Sequence, residues 1–148
     1  SKAIKKINLI KKRQTPISVI TNSPSDILNW VNVQKKYINV ILKKLTTSNT
    51  IIFPVKNNIV SNLILGKGNT LGVRIPKHDF CNQLTKAYKK PITTTSVNYT
   101  GEKPLTNPEL MKKKLKNRID AIIEDGILNN KGSKIYIFNK NNFKLLRE

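Results

Sequence analysis

The sequence predicts an α/β fold in a single domain, with an open, mixed β-sheet covered by helices. Helix-like and strand-like patterns alternate through most of the 148 residues, and the last strand-like segments cluster towards the C-terminus. Hydrophobic residues make up 38% and charged residues 24% of the chain, which is a globular balance. A chain of this length can bury a core without disulfides or a structural metal.

The first half of the chain predicts three helices and three strands. Residues 2–12 place Ile4 and Ile7 on one side of an amphipathic helix. Ser23 followed by Pro24 is typical of a helix start, because a serine side chain caps the first turn and proline fits the first helical position. The other predicted elements are a strand over 17–20, a helix over 35–45, and β-branched strands over 49–53 and 70–75.

The second half predicts two helices and more short strands. A helix is expected over 79–88, and Asn107 before Pro108 begins a basic helix that we expect to run to about Ile119. Residues 66–69 predict a turn and not a phosphate-binding loop, because no Gly-Lys-Ser/Thr follows. The predicted strands cover 91–95, 121–123, 134–138 and 143–146.

The charge of the chain is its most unusual property. Twenty-eight lysines and arginines face eight acidic residues, which gives a net charge of +20 and favours a polyanionic partner such as RNA or a nucleotide. A bias towards lysine codons in an A+T-rich genome would give the same excess. The arginines are therefore more informative than the lysines, and there are four: Arg13, Arg74, Arg118 and Arg147.

Several classes of protein are disfavoured by composition. A single cysteine, Cys81, and a single histidine, His78, exclude a disulfide framework and a zinc site built from several Cys or His residues. The apolar runs are too short to span a membrane. We expect a cytoplasmic, monomeric protein with no resident metal.

Three segments carry residues suited to binding anions. The cations at 11–13 follow the first helix, where they either complement the helix dipole or bind phosphate. In the strand 70–75, alternation places Thr70, Gly72 and Arg74 on one face, where an arginine needs an anion or an internal carboxylate. Residues 91–101 run from a strand into a loop of hydroxyls, Asn98 and Gly101, which is either an anion cradle or an ordinary polar turn.

In this order, these segments resemble the YrdC-like family of threonylcarbamoyl-AMP synthases. The resemblance extends from about Ala3 to the C-terminus and is most specific at Ser96-Val97-Asn98 with Gly101. The matching segments are Lys11-Lys12-Arg13, Leu71-Gly72-Val73-Arg74-Ile75-Pro76 with His78, residues 91–101, Gly132-Ser133-Lys134-Ile135 and Leu145-Leu146-Arg147. The family's upstream Thr-x-Tyr segment has no match, so we expect the domain over 1–148 to be N-terminally incomplete or divergent.

The resemblance implies an open, twisted sheet and a nucleotidyltransferase activity. L-threonine, bicarbonate and ATP with Mg²⁺ would give threonylcarbamoyl-AMP and pyrophosphate, and a partner tRNA threonylcarbamoyltransferase would use the product. Matching positions imply that ATP contacts Lys11, Arg13, Thr15, Thr70, Ser96, Asn98 and Arg147. They likewise imply that threonine contacts Arg74, Thr94 and Ser133.

Two other functions stay open at this point. One is a non-catalytic module of the same fold that binds double-stranded RNA or tRNA through Lys112, Lys113, Lys114, Lys116 and Arg118. The same lysines would also suit a solvated helix face. The other is a carbamoyl-transfer module like those of hydrogenase maturation proteins.

Overall fold

The computed structural model describes residues 2–12, 16–129 and 132–148, and it divides the chain into two compact units. The first unit comprises Ser1–Gln14 and Thr95–Lys131. The second unit comprises Thr15–Thr94 and Gly132–Glu148. An α/β fold with an open, mixed six-stranded sheet confirms the predicted fold class. The single domain boundary over 1–148 stays a prediction.

The second unit holds the whole sheet. Its strands lie in the order β4-β1-β3-β2-β5-β6. The pairs β1–β3 and β2–β5 are parallel, and the pairs β1–β4, β2–β3 and β5–β6 are antiparallel. The strands are β1 Ser18–Ile20, β2 Thr50–Pro54, β3 Thr70–Arg74, β4 Ile92–Thr94, β5 Ile135–Asn139 and β6 Asn142–Arg147.

The helices begin close to where the sequence predicts them. The second unit contains α2 Pro24–Trp30, α3 Ile38–Leu45 and α4 Asp79–Tyr88, and the first unit contains α1 Lys2–Lys11 and α5 Pro108–Leu115. The side chain of Ser23 accepts a hydrogen bond from the backbone N–H of Asp26, which is the predicted cap of α2. None of the described helices combines the length and apolar character that crossing a membrane requires.

One face of the sheet supplies the core of the second unit. Val19, Ile51, Phe53, Leu71 and Val73 are each at most 1% exposed. Their alternation along β1, β2 and β3 sends the intervening side chains to the opposite face. Burying five such side chains contributes roughly 1.5–3 kcal/mol each, before the cost of chain ordering. This face therefore fixes the register of the central strands, and with it the positions of the residues on the other face.

Two predicted elements of the first unit are wrong. Residues 121–123 form no strand, because this segment pairs with no described strand and leaves Ile123 71% exposed. The basic helix ends at Leu115 and not near residue 119, because Lys116 leaves the helical conformation and Asn117 adopts a positive φ of 64°. Asparagine tolerates this left-handed conformation and commonly ends helices.

Candidate functional site

The second unit has a polar sheet face opposite its core. Ser18, Gly72, Arg74 and Thr94 are half-buried there, and Thr50 is 6% exposed. Arg74 pairs in register with Thr50 on one side and with Ile20 on the other. The predicted alternation of β3 is confirmed, since Leu71 and Val73 are buried in the core while Gly72 and Arg74 lie on this second face.

Arg74 brings a positive charge to the polar face. Its Nε is buried and has no hydrogen-bond partner, and no carboxylate of the described residues forms an ion pair with its guanidinium. A buried donor without a partner costs about 1–3 kcal/mol. Of the two explanations that the sequence left open, the described structure supplies no internal carboxylate, so the group is suited to an external anion.

Thr50 connects Arg74 to two further predicted residues. The hydroxyl oxygens of Thr50 and Ser133 lie 2.8 Å apart, and the guanidinium of Arg147 donates to the backbone carbonyl of Ser133 at 3.0 Å. The register of β2 with β5 pairs Thr50 with Ile135, and the backbone N–H of Thr50 donates to the carbonyl of Lys134 at 2.9 Å, next to Ser133. The structure therefore groups Ser133 with Arg147, one implied in threonine binding and the other in ATP binding, around a threonine that the sequence did not single out.

Ser18 and Thr94 form a second pair of hydroxyls at the β4 side of the sheet. Ser18 Oγ donates to the carbonyl of Thr94 at 3.2 Å, and the two side-chain oxygens are 3.4 Å apart. Gly72 lies between this pair and Thr50: a Cβ built there would be 3.2 Å from Ser18 Cβ and 3.5 Å from Thr50 Cγ2. Because glycine has no side chain, it leaves the space between Ser18 and Thr50 open on the polar face.

Thr70 lies on the same face but at the far end of β3. It is four residues from Arg74, which corresponds to roughly 13 Å along a strand. Its hydroxyl donates to the carbonyl of Lys67 at 3.2 Å, within the turn that the sequence predicted at 66–69. The structure therefore separates Thr70 from Arg74 and its neighbours.

The first unit brings together three of the residues implied in ATP binding. Lys11, 4% exposed, donates from Nζ to the carbonyl of Ser96 at 2.7 Å and to the side-chain oxygen of Asn98. Ser96 Oγ donates to the same oxygen at 2.6 Å, and Asn98 Nδ2 donates to the carbonyl of Glu102 at 2.7 Å. We call Lys11, Ser96 and Asn98 the loop anchor, because the lysine holds the 96–102 loop in place.

The basic segment after residue 111 is partly neutralised. Lys112 Nζ lies 2.8 Å from Glu109 Oε1 and 3.1 Å from Glu124 Oε2, and these carboxylates raise the pKa of Lys112. Lys114 pairs with Glu102. Lys113, Lys116 and Arg118 are exposed, and the last two lie beyond the end of α5. The cluster predicted to bind RNA is therefore not one continuous helical face.

Two implied site residues, Arg13 and Thr15, lie outside the described residues. An open depression with a volume of about 460 Å³ lies elsewhere, in the long connection between β2 and β3, and contains none of the implied site residues. Among residues 2–12, 16–129 and 132–148, no three His, Cys, Asp or Glu side chains gather in a way that could hold a metal ion. Ser18 and Thr50 are polar-face residues that no motif in the sequence singled out.

The fold and this arrangement define an α/β domain with a polar sheet face and a lysine-anchored loop. The Sua5/YciO/YrdC family, described as telomere recombination, matches residues 1–148. The chain belongs to this family, as its motifs predicted.

Comparisons with individual proteins agree with the family. A Photobacterium profundum threonylcarbamoyl-AMP synthase is 36% identical over 75 residues, which cover 51% of this chain and 40% of the relative. A Methanocaldococcus jannaschii protein, provisionally named threonylcarbamoyl-AMP synthase, is 33% identical over 128 residues, or 84% of this chain and 58% of the relative. The structure of P. abyssi Sua5 complexed with L-threonine superposes with a TM-score of 0.87 at 22% identity, covering 99% of this chain and 44% of that one. The chain thus spans about half the length of these relatives.

Proposed function

We propose that this chain is a threonylcarbamoyl-AMP synthase that supplies tRNA modification. Membership of the family and the names of the relatives support this proposal. The substrates would be L-threonine, bicarbonate and ATP, and the product would pass to a partner tRNA threonylcarbamoyltransferase.

The observation that carries the proposal is the environment of Arg74. Its Nε is a buried donor without a partner, and the neighbouring Thr50 shares a hydroxyl contact with Ser133. An arginine binds a carboxylate through two parallel charge-assisted hydrogen bonds, and hydroxyls can donate to or accept from an amino-acid substrate. This set suits the carboxylate or carbamate of threonine better than it suits an apolar ligand.

The reaction needs positioned charges more than a protein nucleophile. The threonine amine attacks bicarbonate, and loss of water leaves a carbamate. A carbamate oxygen then bonds to the α-phosphorus of ATP while the bond to pyrophosphate breaks. Holding the two substrates in line and balancing the charge on the leaving pyrophosphate are the tasks of the protein.

We assign the loop anchor to ATP binding. Ser96 is exposed and can turn its hydroxyl to a phosphate, while Asn98 fixes the loop backbone through Lys11. Thr94 and Ser133 would serve threonine. The roles of Arg13, Thr15, Thr70 and Arg147 towards ATP stay predictions. Mg²⁺ would enter with ATP, since this ion keeps much of its coordination to phosphates and water.

A substrate-omission assay tests the proposal. We expect the chain to release pyrophosphate from ATP only when both threonine and bicarbonate are present, and mass spectrometry should find labelled carbon from ¹³C-bicarbonate in the nucleotide product. Equal release without threonine, or a product that lacks the label, would reject the assignment.

The alternative of a non-catalytic RNA-binding module has weaker support. Lys112 and Lys114 already pair with carboxylates, which lowers the charge available to phosphates. If the chain instead binds duplex RNA with a steep dependence on salt and ignores threonine, this alternative replaces the enzyme.

A further inference from the structure

Three cations of the first unit gather around one aromatic ring. Lys114 Nζ lies 4.6 Å, Lys12 Nζ 5.1 Å and the Arg118 guanidinium 5.8 Å from the centroid of the Tyr99 ring. All three lie within the distance at which a cation is attracted to the face of an aromatic ring. We call these four residues, with Glu102, the Tyr99 cluster.

The Tyr99 cluster carries unbalanced positive charge. Glu102 pairs with Lys114, whose hydrogen bond is the main reason that the pKa of Glu102 is lowered, and Lys12 also lowers it through its charge. Neither Lys12 nor Arg118 forms an ion pair with a carboxylate of the described residues. Three cations and one carboxylate leave a local excess of two positive charges. An aromatic ring attracts cations without neutralising them, so this excess remains for a ligand.

The cluster is joined to the loop anchor through the backbone. Tyr99 directly follows Asn98, and Lys12 directly follows Lys11. The backbone N–H and the hydroxyl of Thr100 both donate to the carbonyl of Lys11, at 3.3 and 2.9 Å. The contacts that fix the loop anchor therefore also fix the backbone positions of Lys12 and Tyr99, two members of the cluster.

We propose that the Tyr99 cluster binds the pyrophosphate end of ATP and holds pyrophosphate as it leaves. This inference rests on the proposed function and deepens it, because it assigns residues to the leaving group. Pyrophosphate carries several negative charges, which match the excess of two better than a single carboxylate would. Arg118 can bind phosphate oxygens through its planar fork, and lysines serve as point charges. The same ring explains why three like charges gather here.

Calorimetric titration with pyrophosphate alone, without ATP or threonine, tests the inference. We expect Arg118→Gln to weaken pyrophosphate binding about tenfold, as the loss of a charge-assisted contact would. ATP affinity should fall similarly, and AMP affinity should stay within twofold. Lys113→Gln is the matched control, because Lys113 is an exposed lysine of α5 and its substitution changes the net charge equally. That control should lose less than twofold.

The ring has its own pair of variants. Tyr99→Ala should weaken pyrophosphate binding. Tyr99→Phe should bind pyrophosphate like the native chain, since phenylalanine keeps the ring that attracts the cations. Circular dichroism and thermal melts would establish that each variant is folded. If Tyr99 acted only through its hydroxyl, both variants would lose affinity for pyrophosphate. That result would contradict the role proposed for the ring.

Other outcomes would overturn the inference outright. One is that the native chain does not bind pyrophosphate. Another is that the Arg118 and Lys113 variants lose equal affinity for pyrophosphate. A third is that the Arg118 variant loses affinity only for a short RNA duplex and not for pyrophosphate. An inactive chain that still binds pyrophosphate through this cluster would reject the proposed function and leave the cluster standing. If the chain is active but Arg118→Gln leaves its pyrophosphate affinity unchanged, the proposed function stands and the role of the cluster is rejected.

Discussion

Replacing Arg74 by methionine should raise the stability of the protein and weaken its binding of threonine. The buried Nε of Arg74 has no hydrogen-bond partner among the described residues, and such a donor costs about 1–3 kcal/mol. Methionine keeps an unbranched apolar chain and removes the donor. Allowing for imperfect repacking, we expect a gain of about 1–2 kcal/mol in the free energy of unfolding. For 148 residues this corresponds to a rise in Tm of roughly 2–8 °C.

Threonine binding should change in the opposite direction. Loss of a charge-assisted contact to a carboxylate costs about 2 kcal/mol, or roughly thirtyfold in affinity. Urea unfolding followed by circular dichroism gives the stability, and calorimetry with threonine, with and without ATP, gives the affinity. A site residue that is strained without its ligand is expected to show this trade between stability and function.

Arg147→Met is the matched control. It removes the same charge, so the change in overall repulsion is equal, but it deletes a hydrogen bond that is made to the carbonyl of Ser133 at 3.0 Å. We expect a loss of about 0.5–1.5 kcal/mol for that bond. If the Arg74 variant is destabilised like the Arg147 variant, or keeps threonine affinity within twofold, then Arg74 is a structural residue and the polar face does not bind a carboxylate through it.

The remaining predictions concern the first unit. Lys11→Met should leave the acceptors on Ser96 and Asn98 without their shared donor, so we expect a loss of about 1–3 kcal/mol in urea unfolding together with weaker ATP binding; unchanged stability would show that Lys11 does not hold the loop. Lys114 lowers the pKa of Glu102 below its ordinary value of 4.5, so this pair contributes stability fully above pH 4.5 and loses it as the pH falls through the lowered value. Glu102→Gln should therefore show a smaller drop in Tm between pH 6 and pH 3 than the native chain, and an equal drop would contradict the pairing.

Local sequence patterns predicted a strand correctly where the segment also pairs with another strand in the fold. The alternation of residues 70–75 correctly placed Arg74 opposite the core, because the two-residue period is a property of a single strand. Residues 121–123 have the same β-branched character, yet they form no strand. A strand requires pairing, and pairing depends on distant parts of the chain that a local pattern does not contain.

The same limit applies to the candidate site. The motifs correctly singled out Lys11, Ser96 and Asn98, which meet in the first unit. Thr50 was missed because a single hydroxyl within an apolar strand resembles any other β-branched residue. Its value becomes visible only through Ser133, which lies 83 positions away. The Glu102–Lys114 and Glu124–Lys112 pairs, likewise, reveal that the basic segment is partly neutralised.

The place of β2 between β3 and β5 sets an order of assembly. During synthesis β2 can pair with β3 as soon as both exist, but its other edge stays open until the β5–β6 hairpin follows. Closing a loop of 83 positions costs about 4 kcal/mol of chain entropy, which the hairpin must repay through pairing and burial. Until then the nascent chain exposes an unpaired edge, a feature that invites association between chains. The hairpin that ends this vulnerable interval also brings Ser133 and Arg147 to Thr50, so the sheet and the polar face are completed in the same step.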